Sequence, residues 1–236
     1  MTAHPAIPEP YPYLARLNPE QREAVETLDG PLLVLAGAGT GKTRVLTTRF
    51  AHLLLSGRAH PGEVLAVTFT NKAAREMRER VAALLPGRAG HGLTVSTFHA
   101  LGLAILRAEG RRLGYKPRFS VLDAADAQAL LADILKAPDK PSLRRAAAVI
   151  SKWKNALVPP QQALDLAGDE AELQAARAYR LYEDTLRAYQ AMDFDDLIRL
   201  PVELFRQDEE ARTTWQGRLR YPVSYTHLTL PTIYSV

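Results

Sequence analysis

The sequence predicts an α/β fold with a parallel sheet covered by helices, and an all-helical subdomain inserted into it. Short apolar runs alternate with helix-forming segments over the first hundred residues. Such alternation indicates a parallel sheet, because parallel strands are usually joined by a crossover helix. From about 106 to 192 the chain becomes alanine-rich, with few strand signals. This change predicts the helical insertion.

The first elements begin after a proline-rich arm. Asn18 and Gln21 have capping-box spacing, which predicts a helix over 19–28 with Asn18 as its N-cap. Residues 32–35 are all apolar and are bounded by turn residues, so they predict a strand buried on both faces. A helix is predicted over 42–55.

Two more strand–helix pairs follow. An apolar run over 64–69 predicts a buried strand, and Thr70 with Asn71 predicts the cap of a helix that extends to Leu85. A short strand over 93–96 then leads into a helix that begins near Phe98. We therefore expect five segments: a loose arm at 1–13, the α/β domain at 14–105, the helical insertion at 106–192, a return to the α/β domain at 193–221, and an anomalous tail at 222–236.

Composition excludes several classes of site. The 236 residues contain no cysteine, which excludes disulfides, thiolate zinc sites and cysteine nucleophiles. Six scattered histidines do not indicate a metal site. No apolar run has the length of a signal peptide or a membrane span, so we expect no membrane partner and a cytoplasmic location. Basic residues concentrate at 72–80, 107–116 and 144–154, which predicts an anion-binding face in the first two thirds of the chain.

A glycine-rich segment between the predicted strand over 32–35 and the next helix predicts a phosphate-binding loop. Its glycines would let backbone N–H groups point at phosphate oxygens, Lys42 would neutralise the outer phosphates, and Thr43 would ligate Mg²⁺. Ala36 stands where the strict pattern has glycine. Arg44 either lies near the nucleotide or is a surface arginine. The predicted loop consists of Ala36, Gly37, Ala38, Gly39, Thr40, Gly41, Lys42 and Thr43.

Four segments together resemble the opening motifs of the UvrD/Rep/PcrA-type superfamily 1 DNA helicases. They are 17–21, the phosphate-binding loop, 67–77 and 96–99, and the resemblance extends from about 14 to 221. It implies a RecA-like P-loop domain that binds ATP and Mg²⁺. It also implies a parent enzyme that translocates 3′ to 5′ on single-stranded DNA and acts at single-strand/duplex junctions.

The resemblance also implies roles for particular side chains. Gln21 would read adenine, although it could equally serve only in the capping box. Phe69 would stack on a base while its neighbours hold phosphates, whereas the residues alone favour a core phenylalanine followed by a helix cap. The same alternatives apply to the second motif. The candidate DNA contacts are Thr68, Phe69, Thr70, Asn71, Thr97, Phe98 and His99.

Two features of the helical segment have competing interpretations. Trp153 could contact duplex DNA, but a tryptophan that anchors a helix between the solvated Lys152 and Lys154 is favoured. The acidic run over 193–196 suggests a metal nuclease, but Asp195 and Asp196 precede an apolar run and are explained by helix capping.

The resemblance ends near Tyr221. The helicases continue into a strand that ends in an Asp-Glu pair, which holds magnesium and activates water, whereas this chain has no acidic residue after Glu210. We expect 222–236 to be a junction artefact on a truncated gene, with a divergent genuine terminus as the alternative. The chain should bind Mg-ATP and single-stranded DNA weakly and hydrolyse negligibly. Alternatives are a helicase–nuclease motor subunit, a motorless nucleotide-dependent DNA-binding module, and a small-molecule kinase.

Overall fold

The computed structural model describes residues 11–37, 39–87, 91–136 and 139–225. Contacts divide the chain into two compact units. The first comprises Met1–Thr97 with Gln216–Val236, and the second comprises Phe98–Trp215.

The described strands and the described helices are each numbered in the order in which they occur along the chain. The strands are β1 (Val64–Thr68), β2 (Thr94–Thr97), β3 (Ser120–Val121), β4 (Ala191–Met192) and β5 (Tyr221–Tyr225). The helices are α1 (Pro19–Glu26), α2 (Lys42–Leu55), α3 (Asn71–Leu84), α4 (Phe98–Glu109), α5 (Ala124–Ile134), α6 (Lys140–Asn155), α7 (Pro160–Leu166), α8 (Glu170–Ala188), α9 (Asp196–Gln207) and α10 (Glu209–Arg218).

The first unit contains a three-stranded parallel sheet in the order β2-β1-β5. All five residues of the central strand β1 are buried, which explains its unbroken apolar sequence. Helices α2 and α3 supply much of the core beside it, including Phe50 and Met77. The predicted mixed α/β fold with a parallel sheet is confirmed.

Local capping signals define the starts of two helices. The Asn18 side chain accepts from the Gln21 backbone N–H at 2.8 Å, and the Gln21 side chain accepts from the Asn18 N–H at 3.2 Å. Helix α3 begins where Thr70 Oγ1 accepts from the Ala73 N–H at 3.1 Å. Both predicted caps are confirmed, because these signals depend only on residues within one helical turn.

The buried strand predicted over 32–35 is wrong. Residues 32–35 pair with no strand in the described part of the chain, and Leu33 is 74% exposed. Burial on both faces needs neighbouring strands, and the described sheet ends at β5 without including this segment. An apolar sequence indicates a preference for burial, but it does not show whether partner strands are present.

The second unit is built mainly from helices around Trp153, Tyr179 and Tyr182. It is not all-helical, because β3 and β4 form a two-stranded parallel sheet. The predicted helical texture over 106–192 is therefore correct apart from these two short strands, which are too brief for a period-two pattern to be visible. None of the helices in the described ranges is long and apolar enough to cross a membrane.

The contact division differs from the boundaries expected from sequence. Helix α4 and residues 193–215 belong to the second unit. The reason lies in a close helix pair: a β-carbon built on Gly102 of α4 would lie 1.7 Å from the Leu197 carbonyl oxygen of α9. The assignment of 106–192 as an inserted subdomain stays a prediction.

A buried ionic cluster corrects two expectations about charged residues. Lys154 is 0% exposed, whereas Lys152 is exposed as predicted. The Lys154 ammonium lies 2.6 Å from Asp193, 2.8 Å from Glu183 and 3.0 Å from Asp196. Asp196 is thus an ion-pair partner rather than a simple helix cap. The Trp153 ring stacks on Tyr179 with centroids 6.1 Å apart, in agreement with its anchoring role.

Candidate nucleotide-binding site

The glycine-rich loop leads directly into α2, as a phosphate-binding loop requires. Gly39 and Gly41 have φ angles of +77° and +83°, in the left-handed region that favours glycine. A β-carbon on Gly41 would also lie 2.9 Å from the Gln21 amide nitrogen. The φ angle therefore favours glycine at position 41, whereas the flexible Gln21 side chain could move to admit a β-carbon. Ala38 lies outside the described residues.

The loop curls around the ammonium group of Lys42. The Lys42 Nζ donates to the Ala36 carbonyl at 2.7 Å and to the Gly37 carbonyl at 2.8 Å, and Thr40 Oγ1 donates to Gly37 O at 2.8 Å. The contact from position 36 is made by its backbone carbonyl, which every residue has. Alanine at this position is thus compatible with the described loop.

Thr43 and Arg44 occupy the first turn of α2. Thr43 is partly buried, and its carbonyl accepts from Thr47 Oγ1 at 2.9 Å. Arg44 is exposed. The described residues contain no group of three or more acidic or histidine side chains that could hold a metal ion.

Gln21 contacts the loop through its carboxamide. Its Nε2 donates to the Thr40 carbonyl at 2.9 Å, while its Oε1 closes the capping box. The capping role of Gln21 therefore uses the same carboxamide as its predicted base-reading role. A carboxamide has two N–H bonds and two oxygen lone pairs. One N–H and one lone pair of Gln21 therefore remain that could form hydrogen bonds with the edge of a base.

The carboxyl ends of β1 and β2 lie side by side, with Thr68 and Thr97 as register partners. Both threonines are buried, but Phe69 is 64% exposed and Asn71 is also exposed. The core interpretation of Phe69 is therefore wrong. Thr70 does cap α3, and contact of this segment with DNA remains a prediction.

The second candidate DNA-binding motif, 96–99, continues into the second unit. Phe98 is exposed at the start of α4, and the His99 ring lies 4.4 Å from the Phe194 ring with a 34° tilt. Phe194 is itself exposed, although sequence reasoning considered it only as part of an acidic run. The sequence does contain an indication of this exposure, because Phe194 is flanked by aspartates rather than by apolar residues.

The parallel sheet, with a glycine-rich loop closed around Lys42 in the same unit, places the chain in the class of α/β proteins. Within that class it belongs to the UvrD/REP helicase N-terminal domain family, which matches residues 17–222. The resemblance seen in the sequence motifs is confirmed.

Curated relatives agree with this family. The chain is 47% identical over 209 residues to the ATP-dependent DNA helicase Rep of Escherichia coli strain K12, a match covering 87% of this chain and 31% of that protein. It is 42% identical over 212 residues to the ATP-dependent DNA helicase PcrA of Bacillus subtilis strain 168, covering 88% and 29%. The chain thus spans about a third of the length of these relatives.

Proposed function

We propose that this chain is the ATP- and single-stranded-DNA-binding front portion of an ATP-dependent DNA helicase that translocates 3′ to 5′. The observation that carries the proposal is the glycine loop closed around Lys42, with Gln21 hydrogen-bonded to the same loop. The names of the Rep and PcrA relatives support the activity of the whole protein. A DNA motor of this kind would act in the cytoplasm, at junctions of single-stranded and duplex DNA.

The residues of the loop fit Mg-ATP. Lys42 would exchange its two carbonyl partners for phosphate oxygens, and the backbone N–H groups of 36–43 would cradle the phosphates. Thr43 would supply a hydroxyl ligand to Mg²⁺, which neutralises phosphate charge when bound. Gln21 would read the adenine edge, and the exposed Arg44 would lie beside the nucleotide.

Lys42→Ala should weaken Mg-ATP binding on the order of 100-fold, because it removes a charge-assisted contact to phosphate. Equilibrium binding of a fluorescent ATP analogue to the full chain measures the effect. Lys152→Ala is the matched control, since it removes the same charge from an exposed site in the second unit. Equal affinities in the two variants would contradict the nucleotide site.

Single-stranded DNA would meet the exposed side chains at the strand ends. Phe69 offers an aromatic face, and Thr70 and Asn71 lie at the start of α3. Thr68 and Thr97 are register partners at the two strand ends. Phe98 and His99 are further candidate DNA contacts. Base stacking combined with phosphate contacts is tolerant of sequence, as a translocating enzyme requires.

Phe69→Ala should weaken binding of an oligo-dT strand by about tenfold, since stacking of one base on an aromatic ring is worth about 1–3 kcal/mol. Fluorescence anisotropy at low salt measures this affinity. Tyr189→Ala removes an aromatic ring that is 72% exposed in the second unit and should have no effect. Phe69→Trp, which keeps a stacking face, should retain affinity. Full affinity in Phe69→Ala would remove this residue from the DNA site.

One observation favours a second candidate, a motorless nucleotide-dependent DNA-binding module. Strand β5, which pairs with β1, has the sequence Tyr-Pro-Val-Ser-Tyr and contains no carboxylate. Carboxylates that hold magnesium and position water are needed for hydrolysis. We therefore expect this chain to bind Mg-ATP without turnover. Robust DNA-stimulated ATP hydrolysis by the chain would exclude this candidate.

A further inference from the structure

Helix α1 carries Gln21 but has little packing of its own. It has eight residues, of which only Ala24 and Val25 are buried. These two contribute to a small core with Leu14 and Val45. A helix this short is marginal in isolation, because nucleation is costly and few hydrogen bonds repay it. The position of Gln21 therefore depends on contacts that fix the helix from outside.

One such contact is at the carboxyl end of α1. The Arg49 guanidinium, from α2, donates through Nη1 to the Ala24 carbonyl at 2.7 Å and also to the Thr27 carbonyl. The last carbonyls of a helix have no partner within it, and a cation there also meets the negative end of the helix dipole. Arg49 thus satisfies two acceptors that would otherwise depend on water.

The other contact is at the amino end, where Gln21 Nε2 donates to the Thr40 carbonyl. Both tethers lead to the same continuous segment, since Thr40 immediately precedes Gly41 and Lys42, and Arg49 lies two turns further along α2. Helix α1 is therefore fixed at each end to the element that carries the phosphate-binding loop.

We infer that Arg49 is a positioning residue for adenine recognition: by holding the carboxyl end of α1, it sets where the Gln21 carboxamide stands relative to the loop. This inference rests on the proposed nucleotide function and names a residue outside the glycine loop. A helix released at one end would pivot about the other, and the Gln21 tip would sample several positions. Selectivity for the base would fall, whereas phosphate binding by the loop would persist. Burial lowers the pKa of Arg49 from its usual value, in agreement with its partly enclosed position.

The test compares ATP, GTP and tripolyphosphate binding by the full chain. Arg49→Met should reduce the ratio of ATP to GTP affinity by about threefold to tenfold while leaving tripolyphosphate affinity unchanged. Arg49→Lys keeps a cation at the helix end and should restore part of the ratio. Arg58→Met is the matched control, because Arg58 pairs with the exposed Asp29 and does not contact the α1 carbonyls. It should bind all three ligands as the unmodified chain does.

A double-variant cycle separates positioning from general stability. If Arg49 acts through Gln21, then Arg49→Met should cause no further loss of selectivity in a Gln21→Ala background. Additive losses, or an unchanged ratio in Arg49→Met, would overturn the inference. If Arg49→Met does not fold, the ratio of ATP to GTP affinity and the double-variant cycle are measured with Arg49→Gln instead. An unmodified chain that binds tripolyphosphate but shows no preference for ATP would instead overturn the proposed role of Gln21, and one that binds neither would overturn the nucleotide site.

Discussion

Gly102→Ala is expected to destabilise the second unit by more than about 4 kcal/mol, the range reached only by severe steric or burial defects. The added methyl carbon would lie 1.7 Å from the Leu197 carbonyl oxygen and 2.9 Å from its carbonyl carbon. Both atoms are backbone, so no side-chain rotation can relieve the overlap. Helices α4 and α9 would have to move apart, and the contacts around Leu106, Leu197 and Leu200 would loosen.

The close approach has a cause in the sequence of α9. Pro201 lies inside this helix, and it has no N–H to donate to the carbonyl four residues earlier, which is that of Leu197. The oxygen of this carbonyl lies where a β-carbon of residue 102 would stand, so glycine leaves room for a Cα–H···O contact. A glycine in one helix is thus matched to a proline in the other.

The substitution can be tested by chemical denaturation followed through tryptophan fluorescence. Both tryptophans, Trp153 and Trp215, lie in the second unit. The control is Gly168→Ala, also in the second unit, where the atom nearest to a β-carbon is the carboxylate oxygen of the Glu172 side chain at 3.4 Å, an ordinary contact distance. There the same change should alter stability by less than about 0.5 kcal/mol. Equal midpoints for the two variants would show that α4 and α9 can separate at little cost.

The helix caps and the glycine loop could be predicted from the sequence because the residues that determine them are close together in the chain. The Asn18–Gln21 capping box and the Thr70 cap involve groups three residues apart, so their spacing contains the required information. The same is true of the glycine loop, in which Lys42 contacts carbonyls five and six residues before it. Local signals of this kind defined most of the candidate nucleotide site.

Features that depend on contacts between distant segments could not be predicted from the sequence. Residues 32–35 have the composition of a buried strand, but burial requires partner strands that the described sheet does not provide. Lys154 follows a tryptophan on α6 and would ordinarily be solvated, yet its partners come from α8 and the start of α9. The contacts of Arg49 cannot be predicted from local sequence for the same reason, because its acceptors lie on α1 and at the residue after it.

The ionic cluster around Lys154 shows how strongly such distant partners can act. Two cations, Lys154 and Arg199, meet three carboxylates, those of Glu183, Asp193 and Asp196. Burial alone would lower the pKa of Lys154, but the surrounding carboxylates raise it above its usual value. Burial and the charge of Asp196 raise the pKa values of Glu183 and Asp193. The cations and carboxylates of the cluster thus stabilise one another's charged forms. Removal of one cation would leave a buried negative charge without a partner.

Lys154→Met should therefore destabilise the second unit by about 3–5 kcal/mol, whereas Lys152→Met, at the neighbouring exposed position, should change stability by less than about 0.5 kcal/mol. Without the ammonium, the folded-state pKa values of Asp193 and Glu183 should rise further above their unfolded values. The folded variant then binds more protons than the unfolded chain, so its stability falls as pH rises through this window. The difference in the free energy of unfolding between Lys154→Met and Lys152→Met should accordingly be smaller at a pH of about 5 than at about 7. A Lys154→Met variant as stable as Lys152→Met, or a deficit that grows on acidification, would show that the cluster does not stabilise the fold in this way.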